Sequence, residues 1–166
     1  MITRTLSKIV AVVGLCLSPT MAFSSSAALS EQGPLLASPL VVVQDAKTGK
    51  ILFSKNSAQA VSMASLTKLM TAMVILDGPT SWLDATIAIE DSDVDTLKNS
   101  SSRVPVGSTW TVRELLHLAL MASDNRAAHA LGRVYPGGLP TMLAAMNKKA
   151  RDVGLTATFF EDTSGL

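Results

Sequence analysis

A single cysteine, at position 16, is all this sequence contains, and it falls inside an N-terminal run with the layout of a leader. Residues 29–166 are therefore expected to hold no disulfide, no thiol nucleophile and no cysteine ligand for a metal. Histidine is nearly as scarce. His117 and His129 have no second ligand at useful spacing and read as ordinary helix-surface or core residues, so neither a metal site nor a cofactor is expected. Charge is thin as well: Asp, Glu, Lys and Arg make up 16% of the residues, against an apolar fraction of 48% that is too high for a disordered chain. The two signs nearly cancel. Without Arg4 and Lys8 of the leader the formal charge passes from +1 to −1, which argues against nucleic acid or an anionic membrane surface as partner.

The leader itself is a sequence of zones. Arg4 and Lys8 precede an uncharged run over residues 9–17, followed by Pro19 and by small residues around Ala22 and Ala28. That is the order of a secretory signal peptide, with cleavage expected after Ala22 or Ala28. The run is too short for a bilayer, so no membrane span is expected once the leader is gone. Cys16 follows Leu15, where lipid attachment requires a small residue, and is read as filler in the apolar run. The expected organisation is a signal peptide over residues 1–28, a flexible lead-in over 29–39 and one folded domain over 40–166.

Within that domain, residues 40–44 and 51–55 are strand-like and flank Asp45-Ala46-Lys47-Thr48-Gly49-Lys50, whose Asp and Gly supply turn chemistry. A helix is expected from Ser65 to about Asp77-Gly78-Pro79, a short strand over 85–89, and a polar loop over 90–104. Thr111-Val112-Arg113-Glu114 has the form of a capping box and opens a helix through Met121. Ser123-Asp124-Asn125 breaks it, a second helix runs from Arg126 to about Val134, and a third opens at Pro140 and ends at Gly154. Residues 158–160 are expected as a last short strand. Strands followed by a cluster of helices point to an α+β fold rather than an alternating parallel sheet. A two-stranded hairpin is marginal alone, so further strands are expected to complete it.

The chemistry centres on Ser65-Leu66-Thr67-Lys68. Residues three apart on a helix share a face, so the Ser65 hydroxyl and the Lys68 amine can sit side by side as nucleophile and base. Leu66, Leu69, Met70, Met73 and Val74 form an apolar stripe, and Ala72, Ile75 and Leu76 leave little of the far side polar. A helix of that kind belongs in the middle of a domain, where desolvation lowers a lysine pKa towards the range of a proton acceptor. The same letters also suit an N-capping Ser65 beside a solvated Lys68. Ser123-Asp124-Asn125 has two readings too: side chains aimed into a cleft, or caps at a helix end. Ser54-Lys55-Asn56 repeats its Ser-x-Asn pattern inside a strand.

Taken together, the leader, the hairpin, Ser65-Leu66-Thr67-Lys68 and the later Ser123-Asp124-Asn125 resemble the superfamily of penicillin-binding proteins and serine β-lactamases. Met63-Ala64-Ser65-Leu66-Thr67-Lys68-Leu69-Met70-Thr71 is similar to the nucleophile box of low-molecular-mass D-alanyl-D-alanine peptidases. Val104-Pro105-Val106-Gly107 with residues 111–133 resembles their endopeptidase branch, and residues 159–166 resemble the family segment that follows the helices. The resemblance implies a β-lactamase/transpeptidase-like α+β fold and a periplasmic enzyme of peptidoglycan. It implies Ser65 as nucleophile on a D-alanine carbonyl of a stem peptide and Lys68 as its base. Ser123 is implied as proton relay and Asn125 as holder of the substrate amide and of the Lys68 amine. β-Lactams would then be covalent inhibitors at the same serine. A class A β-lactamase is disfavoured, because nothing after Asn125 suggests its deacylating glutamate loop.

One family box is not found. The family carries Lys-Thr-Gly on a strand well downstream of the Ser-Gly-Leu segment, whereas Lys47-Thr48-Gly49 spells those letters in the first hairpin turn, where an ordinary turn is expected. The resemblance thus implies an N-terminal part of such an enzyme, impaired or inactive by itself. A D-alanyl-D-alanine endopeptidase is the first reading, a carboxypeptidase its near neighbour, and a non-catalytic remnant that binds peptidoglycan the alternative of another class.

Overall fold

The computed structural model describes residues 34–166, so the leader with Cys16 and the cleavage positions expected at Ala22 and Ala28 lie outside the described residues. The chain divides into two compact units, with the boundary after Ser57.

The first unit is the expected hairpin. Strands β1 (Val41–Gln44) and β2 (Ile51–Lys55) pair antiparallel with Val41 opposite Lys55 and Val43 opposite Phe53, and the register slips between Val43 and Gln44. The turn closes on Asp45, whose carboxylate accepts the Lys47 and Thr48 N–H groups and the Thr48 hydroxyl at 2.6–3.1 Å. Asp and Gly punctuate turns for this reason: one bonds its own backbone, and the other tolerates a positive φ. Gly49 has φ +72°, and its carbonyl accepts from Gln44 Nε2. Lys55 Nζ bonds the carbonyls of Leu36 and Ser38, and Asn56 Nδ2 that of Pro39, which ties the chain before β1 to the end of β2.

Residues 58–166 form helices α1 (Thr67–Leu76), α2 (Val112–Met121), α3 (Asn125–Arg133) and α4 (Gly138–Asp152), with strands β3 (Thr86–Ala88) and β4 (Thr109–Thr111) as a second antiparallel pair. The capping box at Thr111 is present: its hydroxyl accepts from the Glu114 N–H and its own N–H donates to Glu114 Oε2. Strand β4 was not expected. Its three residues run straight into that cap, too short a stretch to show alternation. Helix α4 begins at Gly138, two residues before the expected Pro140, because a proline in the first turn lacks only an N–H that has no helical partner there.

Helix α1 packs against α2, α3 and α4, as expected of an apolar helix placed centrally. Leu115, Leu131, Met142, Met146, Val104 and Val112 are completely buried around it. Full burial of such a side chain is worth about 1.5–3 kcal/mol. The inward face keeps only Met70 and Val74 of the expected stripe, however. Leu66 and Leu69 are 64% and 55% exposed, and Met73 and Leu76 also face outwards, whereas Lys68, Thr71 and Ile75 point inwards. An all-round apolar pattern cannot orient a helix. The orientation comes from the two polar residues, whose buried donors reach the carbonyls of Ser164 and Thr163.

Those carbonyls belong to the segment after α4, and here the expected strand at 158–160 does not form. Phe160 has its strand-like backbone bonds supplied by a side chain instead. Asn147 Oδ1 accepts from the Phe160 N–H and Asn147 Nδ2 donates to its carbonyl, both at 2.8 Å. A buried amide can satisfy a backbone pair without a neighbouring strand. Among the described residues no helix is long and apolar enough to cross a membrane.

Candidate active site

The first turn before α1 is a short 3₁₀ segment, Ala64–Leu66, entered through Ala64 at φ +47°. It presents Ser65 at the surface, while Lys68, one turn on, is only 2% exposed. The three donors of the Lys68 ammonium find three acceptors: Ser65 Oγ at 3.1 Å, Ser123 Oγ at 3.4 Å and the Ser164 carbonyl at 2.9 Å. Ser123 Oγ donates in turn to Ser65 Oγ at 2.9 Å. Two hydroxyls and one amine, from positions up to 58 residues apart, thus form a closed triangle.

The turn that brings Ser123 there resolves both readings of Ser123-Asp124-Asn125, residue by residue. Ser123 takes a left-handed backbone, φ +54°, at a cost of about 1–2 kcal/mol, and points at the triangle. Asp124 is the cap: it accepts from the Ala127 N–H at 3.0 Å and also from Ser102 Oγ and the Arg103 N–H. Asn125 opens α3 and donates from Nδ2 to Ser100 Oγ at 2.8 Å; no hydrogen bond joins it to Lys68. Ser100 is itself held by Asp95, whose carboxylate accepts its hydroxyl and three backbone N–H groups. The Ser100 hydroxyl, then these N–H groups, hold the Asp95 carboxyl well below the usual carboxylate range.

Residues 162–165 close the site from the other side. Asp162 Oδ1 accepts the Ser164 N–H, the Gly165 N–H and the Ser164 hydroxyl. Thr163 Oγ1 donates to the Ala128 carbonyl and Thr71 Oγ1 to the Thr163 carbonyl, each at 2.8 Å. Gly165 lies against the turn that carries Ser65. A Cβ there would stand 1.8 Å from the Ala64 carbonyl oxygen, and φ is +88°, so no other residue fits.

Burial lowers the Lys68 amine from its ordinary pKa, against the opposing pull of the Asp162 and Asp124 carboxylates. Burial also pushes the Asp162 carboxyl up, but the hydrogen bonds it accepts and nearby His129 outweigh this and hold it below its usual value. An amine so depressed, bonded to an exposed hydroxyl, has the arrangement needed to accept that hydroxyl's proton during attack on a carbonyl. The hydroxyls open on a cavity of ≈ 330 Å³ lined by Met63, Leu66, Leu69 and Leu120 among others.

The structure therefore brings Ser65, Lys68 and Ser123 together, and sets Asn125 two residues beyond Ser123 on a bond to Ser100. The carbonyl of Ser164 and the carboxylate of Asp162 were not singled out in the sequence. A carbonyl leaves no letter, and Asp-x-Ser-Gly signals a turn without naming what the turn meets. Among the described residues Thr48 and Gly49 bond only Asp45, Gln44 and Lys50 of their own hairpin, as expected of a turn.

A family model for D-alanyl-D-alanine carboxypeptidase, peptidase family S11, matches residues 27–166. The chain belongs to this family of low-molecular-mass penicillin-binding proteins. It is 41% identical over 165 residues to a D-alanyl-D-alanine endopeptidase of Pseudomonas aeruginosa, covering 96% of this chain and 53% of that protein. To a D-alanyl-D-alanine endopeptidase of Escherichia coli K12 it is 36% identical, covering 90% of this chain and 48% of that protein. A solved point mutant of the Streptomyces K15 DD-transpeptidase superposes with a TM-score of 0.73 at 31% identity, over 80% of this chain and 54% of that one. The α+β fold is thus of the DD-peptidase and transpeptidase type. The chain spans about half the length of the curated relatives it matches.

Proposed function

We propose that this protein is a serine D-alanyl-D-alanine endopeptidase that hydrolyses peptidoglycan cross-links. The observation that carries the proposal is the triangle of Ser65, Lys68 and Ser123 with the amine buried and the Ser65 hydroxyl open to the cavity. Ser65 Oγ attacks the D-alanine carbonyl carbon of a stem peptide while its proton passes to the neutral Lys68 amine. The Ser65 backbone N–H is one donor to the resulting oxyanion. As the carbon–nitrogen bond breaks, Ser123 relays the proton to the leaving amine and an ester remains on Ser65. Water then cleaves the ester, releasing the D-alanine carboxylate and restoring the serine. Asn125, fixed through Ser100, holds the substrate amide, while the Ser164 carbonyl holds Lys68 in place. A β-lactam enters the same route by opening its ring amide on Ser65 and is a covalent inhibitor.

Residues 1–28 act in this reading as a signal peptide cleaved after Ala22 or Ala28, residues 29–39 as a lead-in whose end is tied to the hairpin by Lys55 and Asn56, and residues 40–166 belong to the periplasmic D,D-peptidase domain. The expected N-terminus is read directly by mass spectrometry of exported protein, and an intact Met1 on periplasmic material would contradict it.

Carboxypeptidase action is the second reading, favoured by the description of the matching family. The two are separated by products: an endopeptidase converts cross-linked muropeptide dimers to monomers, whereas a carboxypeptidase only trims a terminal D-alanine from monomeric pentapeptide. Both require Ser65. In the full-length gene product, Ser65→Ala should abolish labelling by a fluorescent penicillin, and labelling at the wild-type rate would overturn both. A folded wild-type protein that is never labelled would favour a non-catalytic, peptidoglycan-binding role.

A further inference from the structure

We infer that His129 is a positioning residue for Lys68, acting through Ser164. The inference rests on the reading of Ser65 and Lys68 just proposed. Of the three acceptors around the Lys68 amine, the Ser65 and Ser123 hydroxyls belong to exposed residues, whereas the Ser164 carbonyl belongs to a residue that is only 1% exposed. The amine therefore stays aimed at the two serines only as well as that carbonyl stays in place.

Ser164 is held from two directions. Its N–H and hydroxyl both donate to Asp162 Oδ1, which fixes the turn from below. The hydroxyl has one proton and gives it to Asp162, so the lone pair that faces α3 accepts from His129 Nε2–H at 3.1 Å. His129 thereby links α3, the helix that begins at the Ser123 turn, to the carbonyl that orients the amine. No hydrogen bond joins it to Ser65 or Lys68, and it does not line the cavity.

The test compares His129→Leu, His129→Gln, Ser164→Ala and the His129→Leu/Ser164→Ala pair in the full-length gene product, each checked for a wild-type melt. Acylation by a fluorescent penicillin is measured against penicillin concentration. His129→Leu should slow the maximal acylation rate about 3- to 10-fold, the range for one hydrogen bond, and leave the half-saturating concentration unchanged. His129→Gln, which keeps an N–H donor, should recover most of the loss. The pair should be no slower than Ser164→Ala alone, because both remove one link. Equal rates for His129→Leu and wild type, or losses that multiply in the pair, would overturn the inference while leaving Ser65 and Lys68 in their roles.

An arm independent of acylation reads the Lys68 amine in ¹⁵N-lysine-labelled protein, assigned with Lys68→Arg. Its resonance should move in His129→Leu and in Ser164→Ala alike and keep its place in His129→Gln. An unmoved resonance in His129→Leu would contradict the link even in a protein that penicillin does not label. Labelling of Ser65→Ala would instead overturn the underlying reading and leave this resonance unaffected.

Discussion

Two regions of this molecule spell the same chemistry and use it differently. In the hairpin, Lys47-Thr48-Gly49 and Ser54-Lys55-Asn56 carry residue types and spacings that serve as boxes in the penicillin-binding superfamily. Yet Thr48 closes a turn on Asp45, and Lys55 and Asn56 tie down backbone carbonyls 17 to 19 residues away. In the helical unit, Ser65-Leu66-Thr67-Lys68 and Ser123-Asp124-Asn125 meet across 55 to 58 residues, and Lys68 reaches a carbonyl 96 residues away. Left-handed backbone does not separate the two, since Asn56 has φ +49° and Ser123 φ +54°; what the second set alone holds is a buried amine. Letters become a site where the fold gathers them around a desolvated group.

Paired substitutions in the two regions should have unequal effects. The largest contrast is between lysines. Lys68→Ala should slow acylation by about 10²- to 10⁴-fold, the usual contribution of a positioned general base, whereas Lys47→Ala should leave it unchanged. Comparable losses in both would mean that the hairpin letters are part of the site.

Glycines give the next contrast, in stability. Gly49 and Gly165 both have positive φ, but a Cβ at Gly49 meets only the end of Gln44 at 3.6 Å, while one at Gly165 collides with the Ala64 backbone. Gly49→Ala should cost about 1 kcal/mol of backbone strain, and Gly165→Ala about 3 kcal/mol or more together with the geometry of Ser65. Denaturant melts of the two variants measure the difference, and equal midpoints would contradict the close approach.

A smaller effect sharpens the electrostatic side. Because burial lowers the Lys68 pKa, the neutral amine should appear, and the acylation rate rise, at a pH below that of an ordinary lysine. The sign for stability follows. An unfolded lysine binds its proton up to a higher pH than the folded one, so stability should increase as pH rises through the folded pKa of Lys68. Lys68→Met should flatten that part of the profile, measured as melting temperature against pH, and an unchanged slope would deny the depressed pKa.

Much of this was legible in the sequence, and the failures share one cause. Local signals held: the Asp45 and Gly49 turn, the Thr111 capping box and the break at Ser123. They rest on bonds a few residues long. What was misread depends on distant partners. The inward face of α1 is chosen by Lys68 and Thr71 bonding Ser164 and Thr163, and the expected strand over 158–160 was replaced by the amide of Asn147. Spacing and resemblance pointed to Ser65, Lys68 and Ser123, and the fold brings these three side chains within hydrogen-bond distance of one another. The layer behind them left no such signal, because Asp95 and Asp162 act by capping turns and the Ser164 carbonyl by accepting from Lys68, and no local pattern records what a turn will meet.

The site at which a penicillin attaches tests the nucleophile most directly. Full-length protein incubated with a β-lactam, digested and mapped by tandem mass spectrometry should carry one stoichiometric adduct on Ser65. An adduct on Ser54, on Ser123 or spread over several serines, with Ser65 unmodified, would contradict the claim that the buried amine of Lys68 makes Ser65 the nucleophile.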